Sequence, residues 1–441
     1  MERKSQDNIP TSKVQRAAKF AKTGVKLGAN YIKHYAKKTI NPSLSRQELD
    51  DANASDVYET LSELKGSALK VAQMMSMSEG MLPSAYSEKF KMAQYTAPPL
   101  SFPLVVKTFK QYLGKSPNDV FEEFGKDAIN AASIGQVHKA KIGDKTFAVK
   151  IQYPGIAESI DSDLRMVKPF AMQLLGLSER DLEIYMKEVG DMLKSETNYT
   201  LELERSQKLA KLTKEAVPNA IFPEYYPEYS SERILTMDFL EGMHLKEFLA
   251  TNPTQEIKNK AAQTLWDFYD YQMHVLKEVH ADPHPGNFIM KEDGRVGFID
   301  FGAVKVIPEE YYLQHFSIME KNILEDDAQL ETAFEGLGFL MADDTPQQRE
   351  FFKGVFKELL SLSMKPFHSD TFYFGDKKYF QDLNEFGERL SKMPELRNSK
   401  QARGSQHSLY LNRTYFGLYF LLHELNATVN TDSYWYKMKE A

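Results

Sequence analysis

Apolar residues recur at helical spacing over most of this chain and at strand spacing in a few short windows. Val14, Ala18, Ala21, Val25, Gly28, Ile32 and Tyr35 stay on one face of a helix within residues 1–40. Val57, Leu61, Leu64, Ala68, Val71 and Met75 alternate steps of four and three, predicting a second helix within 47–80. The pattern changes at 116–150: 119–124 leads into 130–142 and 145–152, which read as two strands joined by a turn at Gly143-Asp144. After Tyr153-Pro-Gly155 a long helical stretch includes Asp181 to Leu212, and further strands follow around 220–222 and 233–239. A helix over 255–279 carries Ala262, Leu265, Trp266, Tyr269, Met273 and Leu276, and 289–300 reads as a hairpin around Gly294. Residues 311–441 form a helical region in which 415–422 is a buried helix and the polar run 398–405 a flexible loop.

Composition narrows the class. The chain has 441 residues, enough for a bilobal unit or two domains with an appendage, and is 42% hydrophobic and 27% charged, as globular proteins are. It has no cysteine, which excludes disulfides, cysteine-ligated zinc and thiol catalysis and fits a reducing compartment. A formal net charge of −7 argues against general nucleic-acid binding. No apolar run approaches the roughly 20 residues that cross a bilayer, and no secretory signal opens the chain. The expected location is therefore cytoplasmic, with any membrane contact peripheral, at the inner face.

The local charge of the N-terminus differs. Residues 1–40 hold ten Lys and Arg against Glu2 and Asp7. Two readings stand: an amphipathic helix resting on an anionic membrane surface, or a helix docked on its own protein with a solvated basic face.

Candidate chemistry concentrates in His280-Ala-Asp-Pro-His-Pro-Gly-Asn287 and Gly297-Phe-Ile-Asp-Phe-Gly302. Asp282, Asn287 and Asp300 supply hard oxygen ligands and one extra base, the set that a magnesium nucleotide requires. Protein kinases use this spacing: the first aspartate handles the attacking group, and the asparagine and later aspartate hold magnesium. Upstream, the small residues Ala131, Ala132, Ser133 and Gly135 let backbone N–H groups approach a phosphate. Lys150, ending Phe-Ala-Val-Lys, matches the strand lysine that pairs with phosphates. A helical glutamate must orient it; Glu202 is the choice and Glu196 the reserve. Leu240-Glu-Gly242 resembles an adenine-binding hinge, with Met237 and Phe239 as nucleotide contacts. After Gly302 the chain runs through 303–310 into a helical pattern, leaving no room for a phosphorylated activation segment, and Ala281 stands where kinases usually have a phosphate-gripping arginine. Lys70 and Gln73 sit one turn apart beside a buried stripe, and periodicity alone gives them no function.

Together, Ala131-Ala-Ser-Ile-Gly-Gln-Val-His138, Val149-Lys-Ile-Gln-Tyr-Pro-Gly155 and the Asp282/Asn287/Asp300 set resemble the UbiB family of AarF-domain atypical kinases, in the branch of the mitochondrial quinone-biosynthesis members. The resemblance implies an α+β, bilobal protein-kinase-like fold with a strand-containing N-lobe, a helical C-lobe and an N-terminal helical extension. It implies ATP or ADP and Mg2+ as cofactors. It also gives Lys70 and Gln73 a role, as the pair that reaches into the active site, with Glu196 and Asn198 in the places of a Glu-x-Asp motif that meets the lysine. Ala72 and Asn198 depart from the family's Gly and Asp, which removes a negative charge beside Lys70. The domain expectation is a basic segment 1–46, a helical extension 47–115, an N-lobe 116–245 and a C-lobe 246–441. The implied activity is Mg-dependent ATP hydrolysis or small-molecule phosphorylation supporting isoprenoid-quinone metabolism. Expected partners are nucleotide, an anionic membrane or isoprenoid lipid, and quinone-biosynthesis enzymes, with no nucleic acid. The alternatives are a pseudokinase that uses nucleotide to scaffold proteins or extract lipid, and, last, a conventional protein kinase.

Overall fold

The computed structural model describes residues 13–41, 47–64, 68, 70, 86, 89, 99–131, 134–175, 179–320, 322–397, 403–405 and 407–440. Gln73, Ala72, Ala132 and Ser133 lie outside the described residues, as do 398–402 of the polar loop. Among the described residues no helix is long and apolar enough to cross a membrane. The helices α1 (Lys13–Ile40) and α2 (Gln47–Leu64) lead the chain. The site-bearing strands follow in order: β1 (Glu123–Phe124), β2 (Asn130–Ala131), β3 (Gly135–Ile142), β4 (Lys145–Gln152), β5 (Ala220–Ile221), β6 (Ile234–Asp238), β7 (Glu278–His280), β8 (Phe288–Met290), β9 (Val296–Phe298) and β10 (Val304–Val306). The chain divides into two compact units, one of Met1–Leu203, Glu224–Phe239 and Glu388–Lys400, the other of Glu204–Pro223, Leu240–Gly387 and Gln401–Ala441.

The first unit is built on an antiparallel sheet ordered β1-β3-β4-β6, with β2 also paired to β3. Gly143 takes φ +56, so the β3–β4 turn needs a residue without a Cβ penalty. Strand alternation then sorts β4 by face. Phe147, Val149 and Ile151 point into a core with Val105 and Phe109 of the helix Phe102–Leu113, and with Phe121. Ala148 packs on the opposite face against Tyr199, Leu203, Tyr225, Leu235 and Met237, and by alternation Lys150 points to the same side. The long helical stretch is three helices, Ile156–Leu175, Glu179–Glu196 and Tyr199–Thr213. Asn198 makes the last break: its side-chain oxygen accepts from the Leu201 N–H at 3.2 Å, the N-cap bond that starts the next helix.

The second unit centres on the helix Gln255–Tyr271, whose Ala261, Ala262, Leu265, Trp266, Phe268 and Tyr269 are buried. Trp266 packs on Phe367 at 5.1 Å between ring centres. The sequence pattern carries this helix to 279, but the structure ends it earlier. Gln272–Leu276 widens into a π turn, Lys277 takes φ 53, and Glu278–His280 becomes β7. The apolar residues there follow helical spacing because the π turn preserves a helical direction while adding a residue per turn. β8 and β9 form the hairpin around Gly294 (φ +82), and β5 adds to β9 in parallel. The chain after Gly302 forms β10, which returns to β7, and then the helix Glu309–Phe316. The described part of the polar loop is tied down by Arg403, which bonds Asp344 and donates to the Phe339 carbonyl at 2.8 Å, and by the Gly404 N–H, which donates to the Gly338 carbonyl at 2.9 Å.

Candidate active site

In the first unit Lys150 donates to both carboxylate oxygens of Glu202, at 2.8 and 3.0 Å, and its ammonium lies 5.0 Å from the Tyr199 ring centre. The Glu202 side chain is fully buried and Lys150 nearly so, so the pair is fixed in place. Glu202 stands in the first turn of its helix, where the helix dipole favours a carboxylate. The reserve residue, Glu196, is engaged elsewhere: Lys70 Nζ lies 3.3 Å from it, and both side chains are largely buried. Asn198 is exposed and spent on its helix cap. Asn and Asp cap equally well, which accounts physically for an amide at this position.

Gly135 opens β3 in a tight space. A Cβ there would lie 2.7 Å from the Ile151 carbonyl oxygen and 2.8 Å from the Tyr199 hydroxyl. Ala131 pairs with Gln136 across β2 and β3. Gln136 and His138 form a buried relay that the sequence did not announce. The Leu100 N–H donates to Gln136 Oε1 at 2.6 Å, Gln136 Nε2 donates to His138 Nε2 at 2.8 Å, and His138 Nδ1 donates to the Gly125 carbonyl at 2.8 Å. That carbonyl can only accept, so the proton is assigned to Nδ1. Burial holds His138 below the ordinary histidine range, in keeping with a neutral ring. At the far end of the sheet Met237 is buried opposite Ala148, and the Phe239 N–H is committed to the Thr146 carbonyl at 3.0 Å.

In the second unit the loop after β7 is held by its own backbone and by His280. Asn287 Nδ2 donates to the Asp282 carbonyl at 2.9 Å, turning its amide oxygen away from that bond. The Gly302 N–H donates to Asp300 Oδ1 at 3.0 Å. His280, fully buried and shifted below the usual histidine range chiefly by burial, donates from Nε2 to the Asp300 carbonyl at 2.5 Å and accepts from Tyr269 at Nδ1 at 3.0 Å. Its N–H is received by Gln272 of the π turn at 2.8 Å. The irregular helix end thus has a purpose: it sets the strand from which the loop departs. Phe301 is buried among Phe222, Phe268 and His280.

The donor set suits magnesium. Asn287 and Asp300 would hold it through their side-chain oxygens. Among the described residues no three His, Asp or Glu side chains gather as a metal cage, so the rest of the shell falls to water and phosphate oxygens, the usual magnesium arrangement.

Sequence reasoning missed the partner of Asp282. Arg413, on the helix Ser408–Glu424, donates from Nη2 to Asp282 Oδ1 at 2.5 Å; the two side chains are 8% and 16% exposed. One turn on, a Cβ at Gly417 would lie 2.2 Å from Pro283 Cγ, so only glycine lets this helix lie so near the loop. The signal was present: an arginine beside an apolar run needs a buried partner.

A family model for the ABC1 atypical kinase-like domain matches residues 92–333. The chain is similar to the probable serine/threonine-protein kinase abkA of Dictyostelium discoideum, 27% identical over 96% of this chain and 78% of the relative. It is also similar to the atypical kinase COQ8, mitochondrial, of Saccharomyces cerevisiae, 26% identical over 96% and 84%. Among solved structures it resembles the complex of Rv3197 with erythromycin from Mycobacterium tuberculosis, with a TM-score of 0.58 and 26% identity, covering 87% of this chain and 95% of that one. The strand-containing N-terminal region, the helical C-terminal region and these matches agree: the chain belongs to the ABC1 family of atypical kinases, the UbiB family that includes COQ8.

Proposed function

We propose that this protein is a Mg-dependent ATPase or small-molecule phosphotransferase that supports isoprenoid-quinone metabolism at a membrane surface. The observation that carries the reading is the buried Lys150–Glu202 pair, bonded through both carboxylate oxygens. A solvated lysine gains little from such an orienter, whereas a phosphate anchor depends on it. In this reading Lys150 binds nucleotide phosphate, small residues from Ala131 to Gly135 admit the phosphates to the backbone, and Asn287 and Asp300 hold magnesium. The metal supplies charge neutralisation to the phosphates. Asp282, its other demands met by Arg413, orients the attacking hydroxyl or water rather than drawing its proton early, which suits a loose phosphoryl-transfer transition state. The link to quinone metabolism comes from the COQ8-type relatives.

A second reading, nucleotide binding without turnover, is favoured by that same ion pair, since a carboxylate held by a guanidinium is a weak proton acceptor. Turnover of Mg-ATP by wild type and by Asp300→Asn separates the two. Loss of turnover in the variant supports the enzyme. Thermal stabilisation by Mg-ATP without turnover in wild type supports the second reading, and normal turnover by Asp300→Asn refutes the metal assignment.

A further inference from the structure

Helix α1 is docked the wrong way round for an ordinary amphipathic helix. Its inward face is largely polar. Arg16, 1% exposed, grips Asp163 with Nε and Nη2 at 2.7 and 2.6 Å, and its Nη1 donates to the Leu64 carbonyl at 2.8 Å. Ser159 donates to the same carboxylate at 3.0 Å. Farther along, Thr23 bonds Thr60, and Asn30 donates to Asn53 and Asp56 at 3.0 and 2.9 Å. Phe20 and His34 are buried on this side. A forked pair with every oxygen engaged is the geometry in which a buried ion pair fixes one register.

The apolar stripe faces outward instead. Val14, Val25, Ile32 and Tyr35 are 79%, 75%, 73% and 60% exposed, with Ala18, Ala21 and Gly28 exposed between them. A Cβ built on Gly24 or Gly28 would meet nothing within 4 Å. From Val14 to Tyr35 the stripe runs about 30 Å at the helical rise. Four large apolar side chains in one exposed row are a binding surface, not scatter. Its flank is basic: Lys22, Lys33 and Lys37 are exposed, while Lys26 is paired with Asp56 at 3.2 Å. The helix contains no Asp or Glu at all. A second copy of this helix would bring lysine against lysine, so the charge selects an anionic occupant. Alanine and glycine between the large side chains keep the face shallow, which suits lying at the headgroup boundary rather than inserting deeply. Tyr35 presents the apolar body and polar tip of an interfacial residue.

We propose that the outward face of α1 is a preformed docking surface for an anionic lipid bilayer. Val14, Val25, Ile32 and Tyr35 lie at the headgroup boundary, Lys22, Lys33 and Lys37 meet lipid phosphates, and the Arg16–Asp163 fork holds the helix so that binding requires no folding. This assigns the face used in the membrane setting proposed above, and it stands whether or not the protein turns over nucleotide.

The test is flotation of the full chain with vesicles of phosphatidylcholine alone or mixed with phosphatidylglycerol. Wild type should float with the mixed vesicles and stay behind with phosphatidylcholine. Val25→Asp/Ile32→Asp, at positions with no buried neighbours to lose, should bind at least about tenfold more weakly, as should Lys22→Glu/Lys33→Glu. Unchanged circular dichroism and Mg-ATP binding would show that both variants are folded. Unchanged flotation of Val25→Asp/Ile32→Asp overturns the proposal. So does failure of wild type to float, including the case in which sedimentation shows a dimer that the same variant dissolves.

Discussion

Replacing Arg413 by Met leaves Asp282 as a mostly buried carboxylate without its guanidinium. Removing one member of a fully buried pair costs about 3–5 kcal/mol. Asp282 and Arg413 retain 16% and 8% exposure, and solvent recovers part of that, leaving about 2–4 kcal/mol. The strain falls on the two elements that the pair joins, the loop 281–287 and the helix Ser408–Glu424. At roughly 1.4 kcal/mol per factor of ten, local opening should rise roughly 30- to 1000-fold. Amide hydrogen exchange reads this directly, in 410–420 and in the Ala281 and Asn287 N–H groups, whose acceptors are the Ala303 and His284 carbonyls. Arg413→Met/Asp282→Asn removes both charges and should recover protection to within about tenfold of wild type, because no unpaired charge remains. If Arg413→Met exchanges at the wild-type rate in both segments, the pair holds nothing together and the positioning role of Arg413 is wrong.

Gly417→Ala should separate the same helix from Pro283 and lower turnover more than nucleotide affinity, measured as kcat against Kd for Mg-ATP. Gly135→Ala drives a methyl toward the Ile151 carbonyl and the Tyr199 hydroxyl, so it should lower the stability read from urea titration by about 1–3 kcal/mol, with Tyr199→Phe relieving one contact but not the other. Asn198→Ala should cost about 1 kcal/mol as a lost cap, and Asn198→Asp close to nothing, by the same titration. Stability should also climb as pH rises from about 4 to 6.5. Burial lowers His274 to about 3 and His315 to about 4, so the unfolded chain binds more protons in that window and acid favours it. Asp270, raised to about 7 by burial, has the opposite slope from about pH 4 to 7, because its folded form keeps the proton. His274→Gln/His315→Gln should therefore flatten or invert the urea-midpoint profile, and an unchanged profile would refute the assignment.

The readable parts of this chain were those in which residue type and chemistry coincide. Lys150 on a strand and Glu202 on a helix are found together because β4 alternates, placing Phe147, Val149 and Ile151 in one core and leaving Lys150 for the other face. Gly294 and Gly143 announce their turns because positive φ selects glycine. What stayed hidden was pairing at long separation. Nothing local in Arg413 points to a residue 131 positions earlier, and Gln136 and His138 look like any strand residues until Leu100 and Gly125 close the relay. The orientation of α1 was hidden for a different reason. Periodicity identifies an apolar stripe and cannot say what lies against it; the usual inference turns that stripe toward the core. Here Arg16, Thr23 and Asn30 supply enough directed bonds on the opposite face to hold the helix, and the apolar stripe remains on the surface. A helix bound through polar contacts with its apolar face exposed needs a reason outside its own fold, and the exposed lysines flanking that face select a partner that is anionic.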